Sequence, residues 1–165
     1  MKLRIAGGND RKDRIFSDEE GRQLCILKIT SFDGFTLYDM EGNFLCNYQR
    51  HKGFFAFNKI TMLDKEGMTK GTFQQKSTFL GQGWDIKDAN DVTIGTLAGK
   101  VKNYQLKMNE GVTLDIMLET GKPDRDAFGL TFQIACDIDI DLSWIGAAII
   151  AIEAGMKRTL APVTR

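Results

Sequence analysis

Residues 128–155 read FGLTFQIACDIDIDLSWIGAAIIAIEAG, and two periodicities meet inside them. From Phe128 to Ile140 every even position is apolar: Phe128, Leu130, Phe132, Ile134, Cys136, Ile138 and Ile140. The odd positions carry Gly129, Thr131, Gln133, Ala135, Asp137 and Asp139, with Asp141 continuing them. A period of two is the mark of a strand with one buried face. Such a run would extend about 43 Å at ~3.3 Å per residue, so a bend or bulge is expected near Gly129 or Ala135. At Ser143 the alternation stops. Asp141 or Ser143 can cap a helix, and Gly155 can end it in the left-handed conformation, which predicts a helix over about 143–154. That helix would be about 18 Å long at 1.5 Å per residue. Spanning a bilayer takes about 20 apolar residues, so it is too short for that. It is apolar on every side until Glu153, so it must be surrounded by protein. Gly146, Ala147, Ala148, Ala151 and Ala154 keep it thin, and Trp144, Ile145, Ala148, Ile149 and Ile152 are its structural contacts.

Upstream, Val112, Leu114, Ile116 and Leu118 form another alternating strand, with Met117 breaking its polar side. Further back a short motif recurs: Asp18-Glu-Glu-Gly21, Asp39-Met-Glu-Gly42, Asp64-Lys-Glu-Gly67 and Asp88-Ala-Asn-Asp91. Alternating residues flank each copy, among them Phe35 and Leu37 before the second, and Phe44, Cys46 and Tyr48 after it. Asp bonds its own backbone in turns and Gly accepts positive φ, so each copy reads as a hairpin tip. A meander of hairpins followed by a thin apolar helix predicts a mainly β fold. It is a closed antiparallel barrel around a central apolar C-terminal helix, in which closure removes the exposed edge strands.

The composition suits one domain over residues 1–165. There are 22 basic and 22 acidic side chains, a formal net charge of zero, 17 glycines and 2 prolines. Charge balance argues against a general nucleic-acid binder, which must neutralise phosphates. Cys25, Cys46 and Cys136 form neither a disulfide framework nor a Cys-x-x-Cys metal pair, and read as reduced core residues of a cytoplasmic protein. No signal-peptide pattern or transmembrane run is recognised. Gly81-Gln-Gly83 opens a strand rather than a helix, so it fails as a dinucleotide loop.

The repeated Asp-x-x-Gly hairpins, the Trp84-Asp-Ile-Lys-Asp88 strand and the Asp-rich strand running into Trp144–Ala154 resemble the superfamily of tubby C-terminal domains, phospholipid scramblases and LURP-one-related proteins, in particular its small bacterial members. The resemblance covers nearly the whole chain. It implies about twelve strands closed around a C-terminal helix. The terminal signature of tubby proteins and the calcium segment and membrane anchor of scramblases are not recognisable, so those activities are not carried over.

Three constellations could carry chemistry. Asp137, Asp139 and Asp141 share a strand face about 6.6 Å apart and suit a hard cation, or else form a solvated face opposite Ile138 and Ile140. Lys100 and Lys102 on one strand face, with Lys107 beyond Tyr104 and Lys157 and Arg158 after the helix, could hold an anionic headgroup, as tubby-like proteins do through the barrel wall, or be ordinary charged surface. Phe54, Phe55 and Phe57 beside Lys59 could form a membrane-inserting or partner-binding tip, or fill the core. His51 is the only histidine, which leaves no pair for zinc and no recognisable triad. The leading expectation is a non-enzymatic binding or regulatory module, without cofactor, that binds anionic phospholipid weakly at its outer surface, peripheral to a membrane. A protein-binding or self-associating module is the alternative, and a metal-dependent enzyme using the three aspartates is the third.

Overall fold

A computed structural model describes residues 1–7, 13–52, 58–76, 81–119, 131–136 and 139–160, the last five by backbone alone. Twelve strands are joined in sequence order and closed by the pairing of first and last: β1 (Lys2–Gly7), β2 (Asp13–Ser17), β3 (Gln23–Ser31), β4 (Gly34–Asp39), β5 (Phe44–Lys52), β6 (Asn58–Leu63), β7 (Thr69–Lys76), β8 (Gln82–Asp88), β9 (Thr93–Lys100), β10 (Asn103–Met108), β11 (Val112–Leu118) and β12 (Phe132–Ala135). Every pairing is antiparallel, with Leu3 opposite Ile134 at the closure. One helix, α1 (Leu142–Leu160), follows. The closed antiparallel barrel with a C-terminal helix is therefore present, with twelve strands.

The recurrent motif forms the expected tips. In each copy the first Asp accepts from two backbone amides, those two and four residues on. Asp39 Oδ1, for instance, takes Glu41 N–H at 2.9 Å and Asn43 N–H at 2.8 Å. Asp18, Asp64 and Asp88 repeat the pattern. The fourth residue needs positive φ, which Gly42 supplies at 88° and Asp91 at 64°.

Alternation decides what is buried. Leu37, Cys46, Tyr48, Ile60, Phe73, Trp84, Leu106 and Ile116 join Ile145 and Ala147–Ile152 of α1 in one apolar cluster. Burial of this area removes apolar surface from water at about 25 cal/mol per Å². All three cysteines are buried and free.

Two expectations are corrected. The long strand ends at Ala135. Cys136 N–H still bonds Met1 C=O at 2.9 Å, but Asp139 and Asp141 lie beyond the ladder in an irregular segment leading into α1. Phe128–Leu130, Asp137 and Ile138 lie outside the described residues. The helix runs past Gly155 instead of stopping there. A side chain at Gly155 would collide with the Gln82 amide, so this glycine serves close packing. Gly146 does likewise: an added Cβ would stand 2.5 Å from Tyr48 Oη.

Candidate functional site

Antiparallel order sends the β2–β3, β4–β5, β6–β7, β8–β9 and β10–β11 connections to one mouth of the barrel. The motif aspartates sit there, accompanied by Glu19, Glu20, Glu41, Glu66 and Glu110, all exposed. The β3–β4 and β9–β10 turns and the β5–β6 strand ends fall at the opposite mouth. That mouth presents exposed Lys52, Lys59, Lys100 and Lys102. None of these four lysines makes an ion pair among the described residues. Among the described residues, carboxylates thus predominate at the first mouth, where Arg22 and Lys65 are also exposed, and lysines at the second.

Sequence reading placed Lys100 and Lys102 on one strand face. The structure instead ends β9 at Lys100 and puts Lys102 in the turn, with Asn103 pairing back to Lys100. Lys107 is exposed near the far end of β10, opposite Thr113, about 13 Å along the strand from Asn103 at ~3.3 Å per residue. The helix direction carries positions 157 and 158 toward the basic mouth; the side chains of Lys157 and Arg158 lie outside the described residues. An open recess of about 760 Å³ on the outer wall is lined by Lys100, Val101, Asn103, Gln105, Asp115 and Met117. Gln105 Nε2 donates to Asp115 Oδ1 at 2.9 Å, so that carboxylate is partly occupied.

Asp141 works as the helix cap. Its carboxylate accepts Ser143 N–H at 3.0 Å and Ser143 Oγ–H at 2.8 Å. Lys70 Nζ donates to its other oxygen at 2.5 Å and to Ser143 Oγ at 2.7 Å. Partial burial pushes the Asp141 carboxyl up, but the donated bonds from Lys70 and Ser143 outweigh it and leave it below the usual range. Asp139 instead faces a recess of about 530 Å³ at the acidic mouth, beside Asp18 and Glu19. Among the described residues no group of three His, Cys, Asp or Glu is placed to hold a metal ion. Phe54, Phe55 and Phe57 lie outside the described residues, and His51 is exposed on β5.

Sequence reasoning missed one ion pair and two turns. Arg14 on β2 makes two bonds to Glu153 of α1, Nε to Oε1 at 2.9 Å and Nη2 to Oε2 at 3.1 Å, with both side chains largely buried. The available signal was Glu153, the single carboxylate of the helix, following the apolar run from Trp144 to Ile152. At the β3–β4 tip Phe32 is 95% exposed, and at the β9–β10 tip Val101 is 72% exposed with φ 57°.

With this geometry the chain was compared with known proteins. The barrel is similar to a solved one. An Arabidopsis thaliana protein, AT5G01750, has a crystal structure that superposes with a TM-score of 0.61 at 11% identity, covering 91% of this chain and 89% of that one. At that identity the likeness shows the fold alone. No protein-family model matches the chain. No curated protein matches it either. Among the described residues no helix is long and apolar enough to cross a membrane.

Proposed function

We propose that the chain is a non-enzymatic binding module for anionic phospholipid headgroups, taken at the outer surface of the barrel, and a distant member of the superfamily it resembles. The single observation behind this reading is the set of exposed lysines, Lys52, Lys59, Lys100 and Lys102, without an ion pair among the described residues and gathered at one mouth of a protein without net charge. Local positive charge of this kind attracts an anionic surface at about 1 kcal/mol per cation, within a Debye length. The resemblance adds that tubby-like proteins hold phosphoinositide headgroups through basic residues of the barrel wall, an analogy of fold rather than of site.

The outer surface follows from where the helix lies. We infer that α1 occupies the barrel interior. Its residues are buried together with inward-facing side chains from strands on every side, Ile5, Leu37, Phe73 and Leu106 among them. It bonds to β5 through Tyr48, to β8 through Gln82 and to β2 through Arg14. A filled interior disfavours a lipocalin-like carrier. The metal-dependent reading gains nothing from Asp141, whose oxygens are engaged by Ser143 and Lys70. A protein partner is the second reading, favoured by exposed Met40, Met68 and Val92 on neighbouring acidic hairpins.

The test is sedimentation with vesicles of phosphatidylcholine alone and of phosphatidylcholine with phosphatidylserine, at low salt. Selective recovery with the anionic vesicles, lost as salt rises, is expected. Equal recovery with both rejects the reading.

A further inference from the structure

We infer that the outer-wall recess over β9, β10 and β11 takes a phosphodiester that also carries a free ammonium group, the serine headgroup being the anionic lipid member of that class. The inference rests on the headgroup reading above and names its place and chemistry. The recess measures about 760 Å³, and every residue that lines it is described. Strand register lays six of its side chains out as two rows across three strands. Lys100, Asn103 and Met117 form one row, and Ala98, Gln105 and Asp115 form the next. All six are exposed, while Tyr104 and Ile116, which alternate with them, are buried. Both rows therefore face outward.

Opposite charges stand in this grid without meeting. Lys100 and Asp115 occupy diagonal corners, two strands apart one way and two residues apart the other. That is about 12 Å between backbones, at ~4.8 Å per strand and ~3.3 Å per residue. Neither makes an ion pair among the described residues. Lys100 and Asn103 also make no side-chain hydrogen bond there. Asp115 Oδ1 accepts from Gln105 Nε2 at 2.9 Å, which orients the carboxylate and leaves Oδ2 as an open acceptor. The recess thus offers donors at one corner and an acceptor at the other. A phosphate with no further group meets Lys100 and Asn103 but is repelled by the Asp115 carboxylate, which accepts only. An ammonium group on the same ligand turns that repulsion into attraction. It donates to Asp115 Oδ2, while the phosphate oxygens accept from Lys100 Nζ and Asn103 Nδ2. Gln105 keeps a second N–H for the serine carboxylate. Ala98 gives the recess its room, since a longer side chain there would stand between Lys100 and Gln105. Met117, 53% exposed, supplies an apolar rim beside Asn103.

The experiment uses the full chain and two sets of phosphatidylcholine vesicles, one with phosphatidylserine and one with phosphatidylglycerol at equal mole fraction. The two sets carry the same charge, and only the serine lipid has an ammonium group. The wild type should bind the serine vesicles about fivefold more tightly, the upper end for one exposed ion pair. Asp115→Asn keeps an acceptor for Gln105 and should bring the two affinities together. Ala98→Leu removes room without changing any charge and should do the same. Lys107→Gln, the next outward position along β10 and outside the recess, should keep the preference. All three positions are exposed, so their urea midpoints should match the wild type. Soluble glycerophosphoserine should compete with the serine vesicles, and glycerophosphoglycerol should not. Equal binding of the wild type to both sets overturns this site while headgroup binding stands. A serine preference that survives in both Asp115→Asn and Ala98→Leu overturns it as well. If the wild type ignores both sets, the headgroup reading fails and this inference with it. Binding of glycerophosphoserine by a protein that ignores vesicles would make a free phosphoester the ligand and overturn both.

Discussion

Tyr48 Oη donates to the main-chain carbonyl oxygen of Ser143 across 2.7 Å, joining the middle of β5 to the first turn of α1. The phenol reaches that carbonyl only because residue 146 is glycine; a methyl group there would stand 2.5 Å from the oxygen. Trp144 packs nearby against Phe73, with ring centroids 6.2 Å apart. Its indole edge fills the space left by Gly71, where an added Cβ would meet it at 2.5 Å. Two glycines, on strand and helix, thus set the depth to which the helix start can sit.

Replacing Tyr48 by Phe removes this bond without changing ring volume. A buried neutral hydrogen bond contributes about 1 kcal/mol net, so urea unfolding should show a loss of that size. Gly146→Ala should cost more, because the buried Tyr48 ring must move in a close-packed interior. An unchanged midpoint for Gly146→Ala would show that the contact is slack.

Asp141 caps the helix and pairs with Lys70. Asp141→Ala should lower stability by about 1 kcal/mol near neutral pH, the usual value of a cap. The carboxyl is held below its ordinary value of 3.8. The folded state therefore binds this proton less tightly than the unfolded chain. Its stabilisation is present above that ordinary value and lost as pH falls below it. The gap between wild type and Asp141→Ala should accordingly close on acidification. A gap that is constant from neutral pH to about pH 3 would remove the cap and ion pair as its cause.

Arg14 and Glu153 form a two-pronged pair with side chains only 10% and 17% exposed. Arg14→Met leaves the Glu153 carboxylate in a mostly dry site and should cost about 3 kcal/mol. Arg14→Met combined with Glu153→Met should recover much of that loss, since an apolar pair of similar volume often replaces a buried ion pair well. Additive losses in the double-mutant cycle would show that the two residues are not coupled.

The parts of the fold that were legible in the sequence are those fixed by neighbours in the chain. Asp39 and its three counterparts bond amides two and four residues on, so four tips could be read from a short local motif. The apolar helix could be read because its pattern of small and large residues differs from the alternating strands before it. What was not legible depends on residues distant in sequence. Arg14 and Glu153 are 139 positions apart. Gly155 looked like a helix end but is needed for room beside Gln82. Asp139 continued an alternation that the chain itself abandons after Ala135, where it leaves the ladder to bring Asp141 over Lys70. The Val101 turn carries neither glycine nor asparagine at its positive-φ position, so Lys100 and Lys102 read as one strand face.

Burial pushes the Cys25 thiol up to about 12 from 9.0. The folded protein then keeps a proton that the unfolded chain releases. Stability from this source is complete below pH 9, and is lost as pH rises from 9 toward 12, at up to about 1.4 kcal/mol per pH unit. Burial raises the phenols of Tyr48 and Tyr104 as well, which steepens the decline above pH 10. Denaturation midpoints between about pH 8 and 10.5 should fall less steeply for Cys25→Ala than for the wild type. Parallel curves would show that the thiol titrates alike in both states.

The most direct test of the whole account is the urea unfolding midpoint of Ala148→Asp. Ala148 is fully buried on α1, the helix proposed to fill the closed barrel. An aspartate there would find no cation and no water, so the variant should lose its cooperative folded state, because an isolated buried charge costs several kcal/mol. A variant that unfolds within about 0.5 kcal/mol of the wild type, the range of an ordinary surface substitution, would place the helix against solvent and contradict a filled barrel that binds through its exterior.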